Sequence, residues 1–407
     1  MLNQENNYDI TIVGAGIAGC LSALLLANTK LNNNIKLKIL LLDKKIPDVS
    51  NLNFDDVNKY QSRVVALNLT SKKILSQIGV WELFEKIRLG NIRKISVSEA
   101  NGPQKIEFDG YASGYENLAY VVENDFIQKK LQERIKEYKN IEIEEVNIKQ
   151  VINNSEKVQI LSEDNQIINS KLIIAADGAN SYLRKYFNID VDINDYNHTA
   201  LVVNIHTNKS HNNIARQKFL KSGPIALLPL GDSNNISIVW SNTKENADFL
   251  LNCSQNDFIE KLQEAFNFKI GDKVTLTSKR LAFPLCERHA KDYYFNRVVL
   301  LGDAAHTIHP LAGQGLNLGI LDAKVLTDEI INAVNNKTDF GIQDVLLRYQ
   351  SKRRGHNQMM IYAMRFFKNI YGSQNTAVSI LRNMGIGICN QSNFIKDKIM
   401  RLAVGLE

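Results

Sequence analysis

YDITIVGAGIAGCLSALLLANT, residues 8–29, decides the fold. YDITIV (8–13) is a short β-rich run, GAGIAG (14–19) breaks it, and CLSALLLANT continues with helical composition. KLKILLLD (36–43) then reads as a second buried strand. Strand, glycine turn, helix and strand in that order predict a parallel β-α-β unit that binds a dinucleotide. Gly14 permits the tight turn, Gly16 lets the backbone approach a pyrophosphate, and Gly19 lets helix and strand pack closely. The helix N-terminus then faces the phosphates. Asp43, ending the second strand, is placed to accept hydrogen bonds from a ribose diol.

A second glycine-rich loop lies three-quarters of the way along. NRVVLLGDAAH (296–306) is a buried strand ending in Gly302-Asp303, and AGQGLNLGILDAKVLTDEI (312–330) begins a helix with glycines at its start. A carboxylate at that strand end can hold a polyol hydroxyl, while helix-start amides stabilise negative charge on a ring edge. A nicotinamide dinucleotide has no ribityl chain to hold, whereas FAD does. One FAD touching both loops requires a discontinuous nucleotide domain. The expected architecture is α/β (α+β): a Rossmann-like FAD-binding domain from 1–90, 118–187 and 283–340, and a β-rich substrate domain from 91–117 and 188–282. A helical segment, 341–407, completes it.

Composition agrees with an ordinary globular chain of two or three packed units: 407 residues, 44% hydrophobic and 23% charged. The polar start MLNQENNYDI gives no secretory signal, and no run approaches the length of a membrane-spanning helix, so a cytoplasmic protein is expected. Cys20, Cys253, Cys286 and Cys389 lack CxxC spacing, which argues against both a metal site and a disulfide framework. The net charge of +6 is mild, and nothing in it calls for nucleic acid. Its location is informative: residues 341–407 carry ten Lys or Arg against three Asp or Glu. Within them YQSKRRGHNQMMIYAMRFFKNIYG mixes Lys352, Arg353, Arg354 and Lys368 with Met359, Met360, Met364, Phe366 and Phe367. Basic and apolar together suit anionic lipid, so peripheral contact with the inner face of the cytoplasmic membrane is expected through 341–407.

These pieces, with RVVALNLTSKKILSQIGVW (63–81), YVVEN (120–124), AADGANSYLR (175–184) and GPIALLPL (223–230), carry a resemblance along nearly the whole chain. The chain resembles the FAD-dependent aromatic hydroxylases of p-hydroxybenzoate hydroxylase type, and is most similar to the polyprenylphenol hydroxylases of ubiquinone biosynthesis. The resemblance implies that Arg63 contacts the FAD pyrophosphate region, that Asn124 is a polar FAD contact, and that Asp177-Gly178 serves FAD and a reduced nicotinamide cofactor. It further implies that Asp303 binds the ribityl chain, Pro310 lies against the isoalloxazine, and Gly315, Leu316 and Asn317 present amides to its pyrimidine edge. His306 and His309 fall at positions that shape the flavin loop.

The activity so implied is hydroxylation of the ring of a polyprenylated phenol through a C4a-hydroperoxyflavin, with O2 as co-substrate. No second nucleotide fingerprint exists, so NAD(P)H docks transiently or a protein donates the electrons; the sequence leaves both open. A flavin-dependent reductase or dehydrogenase acting on a prenyl or quinone substrate, and a non-catalytic flavoprotein scaffold, are the competing readings. Implied partners are a lipophilic aromatic substrate and a complex of ubiquinone-biosynthesis proteins. The catalytic base stays unassigned among Tyr196, His198, His206 and Tyr293.

Overall fold

The strand Glu5–Val13 pairs in parallel with Ile39–Asp43 on one side and Ile167–Ala175 on the other. The parallel set extends to Ile141–Glu145 beyond the second strand and to Val298–Leu300 beyond the third. Ile10, Ile12 and Leu40 to Leu42 are buried, as expected of strands covered on both faces. The computed structural model describes residues 5–29, 35–56, 59–99, 105–267, 270–308, 314–372 and 401.

Register decides where the site falls. Val13 lies opposite both Leu42 and Ala175, and Ala175 lies opposite Leu300, so four strands end at one level. Gly14, Asp43, Asp177 and Gly302-Asp303 therefore come off one edge of the sheet, although they are far apart in sequence. In open parallel sheets ligands bind outside this carboxyl edge. The helix Ile17–Asn28 packs beneath it, with every residue from Gly19 to Leu26 buried.

A nine-stranded sheet covers the opening. From one end it runs His306–Thr307, Leu281–Ala290, Val191–Thr207, Asn235–Thr243, Gly223–Pro229, Ile214–Leu220, Lys94–Glu99 and Lys105–Asp109, with Val274–Leu276 also on Val191–Thr207. Leu250, Phe258 and Leu262 of two helices bury its outer face against Leu201, Val203 and Ile238. The strand Leu281–Ala290 straddles the boundary expected at 283, because it pairs with Val191–Thr207 along its whole length. Its end also pairs with His306–Thr307, which joins the second glycine loop to this sheet. A small sheet of Val64–Asn68, Ala119–Glu123 and Gly90–Ile92 completes the frame.

Two long helices follow, Gln314–Asn335 and Gln343–Gly372. No helix of the described residues is long and apolar enough to cross a membrane.

Candidate functional site

Gly14 has φ of +110°, and a Cβ there would sit 2.3 Å from the Ala176 carbonyl oxygen. A Cβ on Gly19 would sit 1.8 Å from the Gly14 carbonyl oxygen, so helix and turn meet only because both residues lack side chains. A Cβ on Gly16 would meet nothing within 4 Å, so the N-cap of the helix is open on that side. The Ala15 peptide is gripped from both ends. Its N–H donates to Asp43 Oδ2 at 2.8 Å, and its carbonyl accepts from Gln128 Nε2 at 2.8 Å. Asp43 thus shapes the turn with one carboxylate oxygen. Gln128, buried on the helix Asn124–Ile135, is a residue that motif reading misses, since its contact lies 113 positions away.

Arg63 and Asn124 come together across the small sheet, where the Asn124 N–H donates to the Arg63 carbonyl at 3.0 Å. The Arg63 guanidinium is exposed, 5.9 Å from the Phe283 ring centroid. Asn124 Oδ1 is buried and without a partner. Behind them, Arg88 and Glu123 form a wholly buried ion pair. Arg88 Nη1 and Nη2 also donate to the carbonyls of Asp56 (2.9 Å) and Lys59 (3.1 Å), and Glu123 Oε1 accepts the Gln61 N–H at 2.6 Å. This pair therefore fixes the segment that delivers Arg63 and the residue that precedes Asn124.

Asp177 Oδ2 accepts from the Leu183 N–H at 3.2 Å, whereas its Oδ1 is buried without a partner. Burial raises its pKa above the ordinary aspartate value. Gly178 follows with φ of +80° and open space where a Cβ would be. Arg184 is not a surface charge: it is buried, and it donates to the carbonyls of Ala304 (2.7 Å) and Ala179 (2.8 Å), tying this turn to the second glycine loop.

In that loop Asp303 is reached by solvent yet recessed deep in the cleft. It makes no hydrogen bond to another described residue. Burial raises its pKa, and the charges of His306, Arg63 and Arg288 pull against that rise. Gly315, Leu316 and Asn317 occupy the first turn of Gln314–Asn335, where backbone N–H groups lack acceptors within the helix. The Asn317 side chain is fully engaged: it accepts from the Asn68 N–H (3.0 Å) and Ser71 Oγ (2.7 Å), and donates to the Ala66 carbonyl (2.8 Å). His309 and Pro310 lie outside the described residues.

The four candidate bases are not brought together. The Tyr196 hydroxyl donates to buried Glu287, itself paired with Arg365. Tyr293 is buried among His289 (3.0 Å) and Asn357 (3.2 Å). His206 is exposed, and His198 is half-buried opposite Thr243 and Leu285. One member of the basic face expected on the last helix is not at the surface: Arg353 turns inward and pairs with Asp322 at 2.6 Å, whereas Arg348 (2.8 Å) and Lys352 (2.6 Å) stay exposed while pairing with Glu329.

An open glycine turn at a helix start, a buried unpartnered acceptor on Asp177 and the Asp303 carboxylate come off one edge of the parallel sheet, with a second buried unpartnered acceptor on Asn124 and a second helix start at Gln314. The donor set fits FAD from pyrophosphate to ring: amides for the anionic groups, carboxylates and amide oxygens for the hydroxyls. Such a fold and site define a flavoprotein oxidoreductase.

The chain matches the FAD binding domain family over residues 7–363. It is 31% identical to the mitochondrial ubiquinone biosynthesis monooxygenase COQ6 of Drosophila melanogaster over 99% of this chain and 91% of the relative. The human protein of that name is 29% identical, over 98% and 93%. Among solved structures, PqsL, a probable FAD-dependent monooxygenase from Pseudomonas aeruginosa, superposes with a TM-score of 0.76 at 20% identity, covering 94% of this chain and 100% of that one. Klebsiella pneumoniae HpxO, solved with FAD and uric acid, gives 0.72 at 14% identity, covering 98% and 96%. The chain belongs to this FAD-binding family, and it is an FAD-dependent monooxygenase.

Proposed function

We propose that the protein hydroxylates the aromatic ring of a polyprenylated phenol in ubiquinone biosynthesis. The near-full-length similarity to the ubiquinone biosynthesis monooxygenases is the observation that carries this reading. The cleft supports it. Phe283 and Leu281 are each 38% exposed, on the sheet face they share with Ala200 and Val202, their partners in register. Phe283 adjoins Arg63, whose charge reaches Asp303. An apolar strip and the polyol-binding carboxylate thus share one opening, which suits a greasy aromatic substrate laid beside the flavin.

Bound FAD supplies reducing equivalents and activates O2 for transfer of one oxygen atom to the ring. The chain's own part is to bind and orient. The amides of the Gly14–Gly19 turn and Asp43 hold the dinucleotide end, Asp303 holds the polyol, and the first turn of Gln314–Asn335 stabilises negative charge at the ring edge. The roof sheet excludes water, so that activated oxygen is spent on the substrate. The reductant is NAD(P)H or a protein donor, which anaerobic bleaching of the bound flavin by NADH, NADPH or a ferredoxin-type donor separates.

Turnover of a short-chain polyprenylphenol under labelled dioxygen tests the activity: one labelled oxygen in the ring is expected. Substrate reduction without label uptake would overturn it in favour of a reductase. The lipophilic substrate also motivates a peripheral membrane contact on the outer face of Gln343–Gly372, where Met359, Tyr362 and Phe366 are exposed at helical spacing. Flotation with anionic vesicles at low salt is expected. If the protein stays in the dense fraction, direct lipid contact is wrong and a protein complex takes its place.

A further inference from the structure

Asp303 makes no hydrogen bond to a described residue, so its place in the cleft is inherited from what flanks it. On the near side, the Arg184 guanidinium holds the Ala304 carbonyl at 2.7 Å, and the Ala290 N–H donates to the Ala305 carbonyl at 2.8 Å. On the far side, buried His306 bonds through Nε2 to Asp322 Oδ2 at 2.5 Å. The Asp322 carboxylate, wholly buried, is then closed off by the last helix. Oδ1 accepts from Arg353 Nε at 2.6 Å and from Asn357 Nδ2 at 3.2 Å, while Arg353 Nη2 donates to Asn357 Oδ1 at 2.8 Å. Burial alone would raise the Asp322 pKa, but His306 and Arg353 outweigh it and hold the carboxyl well below the usual range.

The same helix grips the strand that leads into the loop. The Tyr349 hydroxyl donates to the Leu300 carbonyl at 3.0 Å, and Gln350 Oε1 accepts the Tyr293 N–H at 2.6 Å. Tyr349, Gln350, Arg353 and Asn357 stand on one side of Gln343–Gly372 and bracket Asp303 in sequence, at Leu300 before it and at His306 after it. A proton relay through this cluster does not fit, because the Asn357 amide nitrogen donates toward both Tyr293 and Asp322 and breaks any continuous path.

We propose that the helix Gln343–Gly372 is part of the cofactor site, with Arg353 and Asp322 as positioning residues that set Asp303 through His306, so that FAD affinity depends on how this helix is seated. The proposal rests on the reading of Asp303 as an FAD contact, and the experiment separates the two. Full-length apoprotein of wild type, Asp303→Ala, Arg353→Met, Arg353→Lys and Asp303→Ala/Arg353→Met is titrated with FAD, and the visible spectrum of each complex is recorded. Arg353→Met is expected to weaken FAD about tenfold and shift the flavin bands, and Arg353→Lys to recover most of both. In the double variant the losses are expected to fall short of the product of the two single losses, because one acts through the other. Wild-type affinity and spectrum in Arg353→Met, with a loss in Asp303→Ala, would overturn the proposal and leave the Asp303 contact standing. Wild-type affinity in Asp303→Ala would remove that contact and the proposal with it. Losses that multiply would also overturn it, since the helix would then act elsewhere. If Arg353→Met does not fold, Asn357→Ala replaces it, and unchanged affinity and spectrum there count against the proposal in the same way.

Discussion

Arg88 and Glu123 form a buried ion pair in which the guanidinium lies over the Tyr60 ring, 4.3 Å from its centroid, and holds two backbone carbonyls. Removing the cation alone strands a carboxylate whose pKa burial already raises. Arg88→Met is therefore expected to lower unfolding stability by about 3–5 kcal/mol, read from urea denaturation of the apoprotein. A loss under about 1 kcal/mol would mean the pair is worth no more than a surface contact.

The Asp303 carboxylate should be the largest single polar contributor to FAD retention. Asp303→Ala removes a charged acceptor worth about 1.5–3 kcal/mol, or roughly a ten- to hundredfold rise in FAD Kd, measurable by quenching of FAD fluorescence. Because burial raises its pKa in the apoprotein, FAD affinity should fall as pH is lowered through that raised value. Asp303→Asn should flatten this part of the profile, and the raised carboxyl of Asp177 should account for the remainder.

Gln128 offers a subtler test. Gln128→Leu deletes the neutral hydrogen bond to the Ala15 carbonyl, worth about 1 kcal/mol, together with a weaker one to Cys20 Sγ at 3.4 Å, and loosens the turn without touching a ligand. A severalfold weaker FAD complex with an unchanged flavin spectrum is expected. An identical Kd in calorimetric titration would leave Asp43 alone as the determinant of the turn.

His289 links stability to pH. Burial first, then the charges of His306 and Arg354, push its pKa down from 6.5 to about 4. Between these values the unfolded chain binds a proton that the folded chain refuses. Its contribution is thus complete above pH 6.5 and is lost as pH falls toward 4, amounting to about 3 kcal/mol at most. His289→Gln removes the titrating group, and the urea midpoint of that variant should depend less steeply on pH across this window. A profile parallel to wild type would refute the assignment.

The backbone of the candidate site is legible in the sequence, because the strand–glycine–helix order at 8–29 and the Gly302-Asp303 turn are local patterns enforced by backbone geometry. The partners that hold those turns are not. Gln128 reaches Ala15, Arg88 reaches Glu123 and Arg353 reaches Asp322 over separations set by tertiary packing, and no periodicity marks them. The same reason explains the helix 343–372, where a basic, methionine-rich composition reads as a surface although Arg353 is spent on a buried carboxylate. Leu281–Ala290 straddles its expected boundary because strand pairing, rather than local composition, decides which sheet a strand joins.

The strand Val298–Leu300 completes the parallel sheet beside Ile167–Ala175, more than a hundred residues after it. During synthesis, at roughly 5–20 residues per second, the growing chain therefore carries an open sheet edge for many seconds, with half a nucleotide cradle and no Asp303. If Asp303 holds the cofactor as proposed, firm capture waits until that residue has been made, which turns the nascent chain's exposed edge into a point at which flavin and chaperone supply act on yield.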